Sequence, residues 1–342
     1  MALPANTTTY GDISPRTGGR AEARLLERGQ HLMTVERFGQ KDPQRKNSTK
    51  TVKWRRYNSL ARASAPLSEG IPPTGSKLTF TDVTATLEQY GDVVIITDVV
   101  ADTHEDPVLN EALKVIGEQA AETVEELRIN VLKAGTNVYY ANAVSSRATV
   151  NSPPVRGDFR RIYRAFKRNK AREISEIIRA SAKVSTEPVA SAYFGMGHTD
   201  LDSDMRGVSG FIPAEQYSDS TKMLPGEIGK VEQFRIILTA MFEPWLTAGA
   251  SGTTYLSGGV AVSSAASCDV YPMLFTARDA YGIVPLQGYQ AVQPMVMNPG
   301  KPSKSDPLGQ IGFVSWKTYQ TCAILNQNWF ARLECAATAN PS

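Results

Sequence analysis

The chain has 342 residues, 42% of them apolar and 21% charged, with a mean hydropathy of −0.26; this is a folded globular composition and excludes a fibrous or low-complexity chain. Its net charge of +3 hides alternating blocks, with 13 Lys/Arg against 5 Asp/Glu in residues 1–64, 5 against 13 in 65–155, 10 against 3 in 156–183, and 9 against 13 beyond. Blocks of both signs fit charge matching between copies of one chain better than a dedicated DNA surface, which has no use for an equal acidic block.

In chain order, residues 1–14 are polar and expected to stay flexible until something docks on them. The opening "MALPANTTTYGDISPRTGG" lacks the apolar core of a signal peptide. From about Arg20 to Phe38, Leu25, Leu26, Leu32, Met33 and Val35 lie scattered among charges, which predicts a short helical arm. A linker, "KDPQRKNSTK", follows at 41–50.

Next comes "KTVKWRRY" at 50–57, then a Pro- and Gly-containing stretch, then "KLTFTDVTATLEQYGDVVIITDVV" at 77–100. The alternating β-branched and aromatic residues predict a long hairpin with its tip at "APLSEGIPPTG", 65–75. An isolated two-stranded ribbon is marginal in water and leaves its edges open. Such a hairpin needs a surface to lie on, and the basic first arm beside an acidic block predicts that this surface belongs to an identical subunit. Candidate interface residues are Lys53, Arg55 and Arg56 on the basic side and Glu69, Glu88 and Asp92 on the acidic side. Residues 93–100 are the most apolar run, broken by Asp98 and far short of the ~18–20 residues of a membrane span.

"DPVLNEALKVIGEQAAETVEELRINVLKAG" at 106–135 reads as one long helix. Asp106 is the expected N-cap, Pro107 the first helical residue and Gly135 the stop. Leu109, Leu113, Ile116, Ala120, Val124, Leu127 and Val131 form an apolar stripe, with Glu111, Glu118, Glu122, Glu125 and Glu126 opposite. A basic helix is predicted over 157–181, with Phe159, Ile162, Tyr163, Phe166, Ile174, Ile177 and Ile178 on its apolar face. Beyond Val184 short strands alternate with loops, the clearest at 230–241, 268–286 and 309–325.

Four strings in this order, "KTVKWRRYNSL", "PLSEGIPPTGSKLTFTDVTATLEQYGDVVIITDVV", "DPVLNEALKVIGEQAAETVEELRINVLKAGT" and "GEIGKVEQFRII", resemble the N4-gp56 family of tailed-phage major capsid proteins. The likeness runs from about Thr51 to Leu238 and more weakly beyond. It implies an α+β HK97-like capsid fold: an N-terminal arm (1–49), an extended hairpin or E-loop (50–98), a peripheral domain (99–199, with a spine helix at 106–134 and the basic helix at 157–181), an axial domain (200–300), and return strands at 301–342. It also implies hexamers and pentamers in an icosahedral shell enclosing double-stranded DNA contacted non-specifically. A separate scaffolding protein would be expected, since no long helical segment precedes the hairpin, with a portal and decoration proteins as further partners. The place of such a chain is the virion, assembled in the host cytoplasm. A nanocompartment shell of the same fold and a non-specific DNA-binding structural protein are the alternatives.

No catalytic, cofactor or metal site is expected. There are three histidines, and His104 beside Glu105 and Asp106 reads as helix capping. "GHTDLDSDMR" at 197–206 opens like a calcium loop, but Met205 stands where Gly is needed and Phe211 where the bidentate Glu belongs. "FGMGHTD" has Asp200 where a dinucleotide fingerprint needs its third glycine. The sequence holds no GxSxG, P-loop or HExxH. Cys268, Cys322 and Cys335 form no pair and suit a reducing compartment. The aromatics of the basic helix fall at helical spacing and read as core rather than as a nucleic-acid surface.

Overall fold

The computed structural model describes residues 7–8, 33–44, 47, 49–64, 66, 69–70, 75–103, 108–179, 185–217, 223–252, 255–261, 267–285, 293–297, 299–300 and 306–339. The predicted N-cap region at 104–107, with His104, and the helical arm as far as residue 32 lie outside them. In chain order, β1 (Thr51–Tyr57) and β2 (Phe80–Thr86) are followed by β3 (Glu88–Thr97), short α1 (Asp98–Thr103) and long α2 (Val108–Lys133). Then come α3 (Arg156–Arg168), β4 (Ile174–Arg179), β5 (Ser185–Gly197) and α4 (Asp202–Arg206). The remainder holds β6 (Glu227–Val231), β7 (Phe234–Leu238), β8 (Tyr271–Thr276), β9 (Tyr281–Pro285), β10 (Gln293–Met297), β11 (Ile311–Ile324) and β12 (Phe330–Cys335).

Among the described residues two large sheets form the body, beside the two-stranded hairpin of β1 and β2 and a two-stranded ribbon of Leu256–Ser257 with Val260–Ala261. The six-stranded sheet runs Thr7–Thr8, β3, β11, β9, Gln40–Lys41, with β10 also on β11. The eight-stranded sheet runs Val138–Tyr140, β12, β8, β5, β7, β6, Phe211–Pro213, with β4 on β5. Strands β7, β8 and β12 are buried at every position. Both faces of the sheet are covered there, which is why these strands read as continuous apolar runs rather than alternations. On one face α3 packs Phe159, Ile162 and Phe166 against Tyr193, Phe234 and Phe275. On the other, Ile129 and Leu132 of α2 meet Phe194, Ile237, Leu274 and Phe330.

Helix α2 therefore serves both sheets, since its earlier residues Ile116 and Ala120 pack on Ile96, Val314 and Trp316 of the six-stranded sheet. This changes the predicted stripe. Ile116, Ala120 and Val124 are buried, but Val131 is 39% exposed and the buried positions shift to Ile129 and Leu132. Glu125, placed on the solvent face by the pattern, is fully buried, as is Arg128 at 6%. The side chains of Leu109, Glu111 and Leu113 lie outside the described residues.

Two further expectations are corrected. The basic helix stops at Arg168, where Lys170 takes a left-handed φ of 54°, and Ile174, Ile177 and Ile178 belong to β4 instead. The second hairpin arm is two strands, because the chain leaves β2 at buried Leu87 and β3 pairs with β11 from Thr97↔Ile311 to Glu88↔Gln320.

The β6–β7 turn is held by a buried ion pair. Arg235 Nε donates to Glu227 Oε1 at 2.7 Å, and its Nη2 donates to Glu227 Oε2; Tyr217 Oη (2.9 Å) and the Leu224 N–H (3.0 Å) complete the carboxylate's shell. Arg235→Leu strands that carboxylate in the interior, and a loss of about 3–5 kcal/mol is expected in urea unfolding. The Arg235→Leu/Glu227→Leu double variant should recover most of it.

Candidate subunit interface

The hairpin is the part of the chain least provided for by its own body. Its strands pair from Thr51↔Thr86 to Tyr57↔Phe80, and within the described residues neither strand has a second neighbour. Its base is seated: Val52, Leu87 and Val284 form a small buried cluster with Trp54 and Tyr319 beside it. Gly282 makes that seat possible, since a Cβ there would stand 2.9 Å from Trp54 Cζ2.

Above the base the strands leave the body. Tyr57 is 62% exposed, Leu60 53%, Leu78 61% and Phe80 51%. Tyr57 and Phe80 meet edge to face at 6.3 Å, and the Arg55 guanidinium lies 4.1 Å above the Phe80 ring. Asn58 and Thr79 continue the ladder, with Asn58 N–H donating to Thr79 O at 2.9 Å. The outer hairpin thus carries large apolar side chains in solvent, the kind of patch that marks a protein contact.

Its charges are arranged within the strip. Lys53 Nζ reaches Asp82 at 2.6 Å, and Arg55 donates through Nε at 2.9 Å and Nη2 at 3.2 Å to the same carboxylate. The hydrogen bonds from Arg55 and then Lys53 hold the Asp82 carboxyl at about 2. Arg56 is exposed and makes no ion pair among the described residues. Glu69 is exposed at the turn next to Gly70. Glu88 accepts from Tyr90 Oη at 2.9 Å. Asp92 accepts from Gln119 Nε2 at 2.7 Å, while Trp316 Nε1 donates to Gln119 Oε1 at 3.2 Å, which ties β3 and β11 to α2.

The structure therefore brings Lys53 and Arg55 together on one hairpin carboxylate and places Glu88 and Asp92 away from them, on β3. Sequence reasoning missed Asp82 and the exposed apolar side chains of the outer hairpin. Cross-strand register would have found Asp82, which faces Arg55 directly. Four of the six cations of α3 are similarly occupied: Arg156 and Arg160 share Glu232 at 2.6 and 2.8 Å, Arg161 meets Asp158 at 2.7 Å and Lys167 meets Glu173 at 2.6 Å.

The acidic loop after β5 is likewise spent on structure. His198 Nδ1 accepts from the Asp200 N–H, Asp200 accepts from Tyr271 Oη, Asp202 takes Arg206 and Asp204 accepts from the Thr338 N–H. Among the described residues no group of His, Cys, Asp and Glu is placed to hold a metal ion, and no helix is long and apolar enough to cross a membrane.

Similarities to known proteins follow the same lines. The "Major capsid protein" of Pseudomonas phage KPP21 is 30% identical over 142 residues, which is 39% of this chain and 34% of that relative's length. The capsid of cyanophage Pam1 superposes with a TM-score of 0.65 at 11% identity, covering 99% of this chain and 100% of that one. The capsid of Ralstonia phage GP4 gives 0.63 at 11% identity over 90% and 92%. The SrpI encapsulin of Synechococcus elongatus gives 0.52 at 10% identity over 94% and 91%. At these identities the likeness establishes the architecture, an HK97-like capsid fold. A family described as phage capsid protein matches residues 81–331, and the chain belongs to that family.

Proposed function

We propose that the chain is the major capsid protein of a tailed phage of the N4-gp56 group, assembling as hexamers and pentamers into an icosahedral shell around double-stranded DNA. The observation that carries this reading is the hairpin: a paired strip whose base is anchored on Val284 and whose outer half exposes Tyr57, Leu60, Leu78 and Phe80. In this reading residues 1–49 are the arm, the hairpin is the E-loop lying on a neighbouring copy, α2 is the spine helix, and much of 200–300 builds the axial region. Many weak contacts suit a shell, because exposed ion pairs contribute only about 0–1 kcal/mol each and closed symmetry multiplies them. The chain needs no catalytic residue for this. Its partners are further copies of itself, a separate scaffolding protein, a portal and decoration proteins, and its place is the virion after assembly in the host cytoplasm.

Negative-stain electron microscopy of the chain, expressed with and without neighbouring phage structural proteins, tests the reading. Closed shells, or pentamers and hexamers that convert to them, are expected. A persistent monomer under every condition would sink it. Shells that form without phage proteins and enclose a protein cargo would favour the nanocompartment alternative.

Arg56→Glu refines the test at one interface residue. With no ion-pair partner among the described residues, its reversal should lower shell yield roughly fivefold, the value of about 1 kcal/mol per contact. Melting of the unassembled chain should stay put. An equal loss in both measurements would remove Arg56 from the interface.

A further inference from the structure

Where the N-terminal segment crosses α2, the helix offers it a carboxyl group instead of apolar surface. Glu125 Oε1 accepts both the Thr34 N–H at 2.7 Å and the Val35 N–H at 2.6 Å, so one oxygen takes the start of the Val35–Arg37 turn. Its other oxygen, Oε2, is buried and has no hydrogen-bond partner among the described residues. The segment is fixed at further points. Tyr281 Oη donates to Val35 O at 2.6 Å, Phe38 stacks on Phe194 at 4.3 Å, and Glu36 receives Arg128 at 3.0 Å and Lys41 at 2.7 Å.

A buried carboxylate with one oxygen unpaired costs far more than a buried neutral carboxyl group. The groups facing Glu125 do not remove that cost. Arg128 on the same helix is already committed to Glu36, and Arg37, whose charge Glu125 also attracts, donates to Pro225 O at 3.0 Å; neither hydrogen-bonds Oε2. Tyr281 from β9 and Cys322 from β11 are both kept neutral by burial, the thiol pushed up to about 12. Glu36 itself is negative: burial works against its ionisation, but Arg128 and Lys41 hold it at about 2.

We propose that Glu125 is a protonation-controlled latch, whose neutral form holds residues 34–41 against the spine helix and whose ionised form loosens them. Burial pushes the Glu125 carboxyl up to about 7, against the pull of the Val35 N–H, the Arg128 charge and the Thr34 N–H. The sign follows from linkage. A group raised from its ordinary value of 4.5 to about 7 in the docked state favours docking fully below pH 4.5, and that contribution is lost as pH rises through 7. The latch thus tightens in mild acid and slackens in mild alkali, the reverse of an ordinary acid-labile salt bridge.

Hydrogen exchange of the Thr34 and Val35 amides in the full-length chain reads this directly, once intrinsic exchange rates are divided out. Protection should fall about tenfold between pH 6 and pH 8.5. In Glu125→Gln, which keeps a neutral acceptor for both N–H groups, protection should stay high and flat. Flat protection in the wild type, or a slope that survives Glu125→Gln, would overturn the proposal.

Discussion

A Tyr57→Ser/Phe80→Ser variant is expected to fold and melt like the wild-type chain yet to form almost no shells. Both rings project from the outer hairpin at more than half exposure. Burying a full aromatic side chain removes 150–250 Å² from water, so covering the exposed half of each releases about 2 kcal/mol at roughly 25 cal/mol per Å². Two rings make about 4 kcal/mol at every hairpin contact, a factor near a thousand in the association constant. Within the free chain their contacts are local: each other at 6.3 Å and the Arg55 guanidinium. An exposed pair of this kind is worth about 1 kcal/mol. Particle counts by electron microscopy beside thermal melting of the unassembled chain give the ratio. Normal shells from the variant would show that Tyr57 and Phe80 lie in solvent in the assembled state.

The contrast with the hairpin charges is informative. Lys53 and Arg55 carry the obvious signal in "KTVKWRRY", but both are spent on Asp82. Their removal would disturb the hairpin itself before any contact with a neighbour. Tyr57 and Phe80 carry little signal as letters, and matter because the register sets them side by side beyond the seat made by Val52 and Trp54. Charge is legible in a sequence; whether a charge is already matched depends on a partner 27 residues away.

The same division runs through the fold. The long helix was legible because one helix writes its own periodicity, and its end at Lys133 lies just before Gly135 as expected. Its depth was not. A pattern that ranks residues by polarity puts Glu125 in solvent, whereas the helix passes from one sheet to the other and the N-terminal segment closes over that side chain. The hairpin was legible from its alternation, but nothing marks the point where the chain quits β2 for β3. "ATLEQ" holds neither Gly nor Pro, and the break occurs because Leu87 turns into a pocket made by Val52 and Val284. The overextended basic helix has a similar cause. Ile174, Ile177 and Ile178 satisfy a helical spacing on paper, yet β4 finds its hydrogen bonds along β5, from Ile174↔Ala192 to Arg179↔Ser185. Local pattern proposes, and the available partner strand decides.

Val124→Pro should be the most damaging single change in the chain. Val124 sits in the middle of α2 at 3% exposure. Proline there deletes the N–H bond to the carbonyl of residue 120 and drives its ring against that carbonyl, at about 3 kcal/mol or more before any loss of packing. The position makes the local defect global. On one side Ile116 and Ala120 hold the six-stranded sheet; on the other Ile129 and Leu132 hold the eight-stranded one. A kink at 124 cannot keep both sets in place, and Glu125, the next residue, would lose its two N–H contacts with the N-terminal segment. Against a total stability of about 5–15 kcal/mol, the sum is enough to leave no soluble native chain. Val124→Ala, which removes two methyl groups and keeps the helix, should cost only about 2 kcal/mol and still assemble. The pair is read by near-ultraviolet circular dichroism and soluble yield. If the proline variant instead melts cooperatively within a few degrees of the alanine variant, then the two sheets are held together by contacts other than α2, and the helix is a strut lying on a body that already stands.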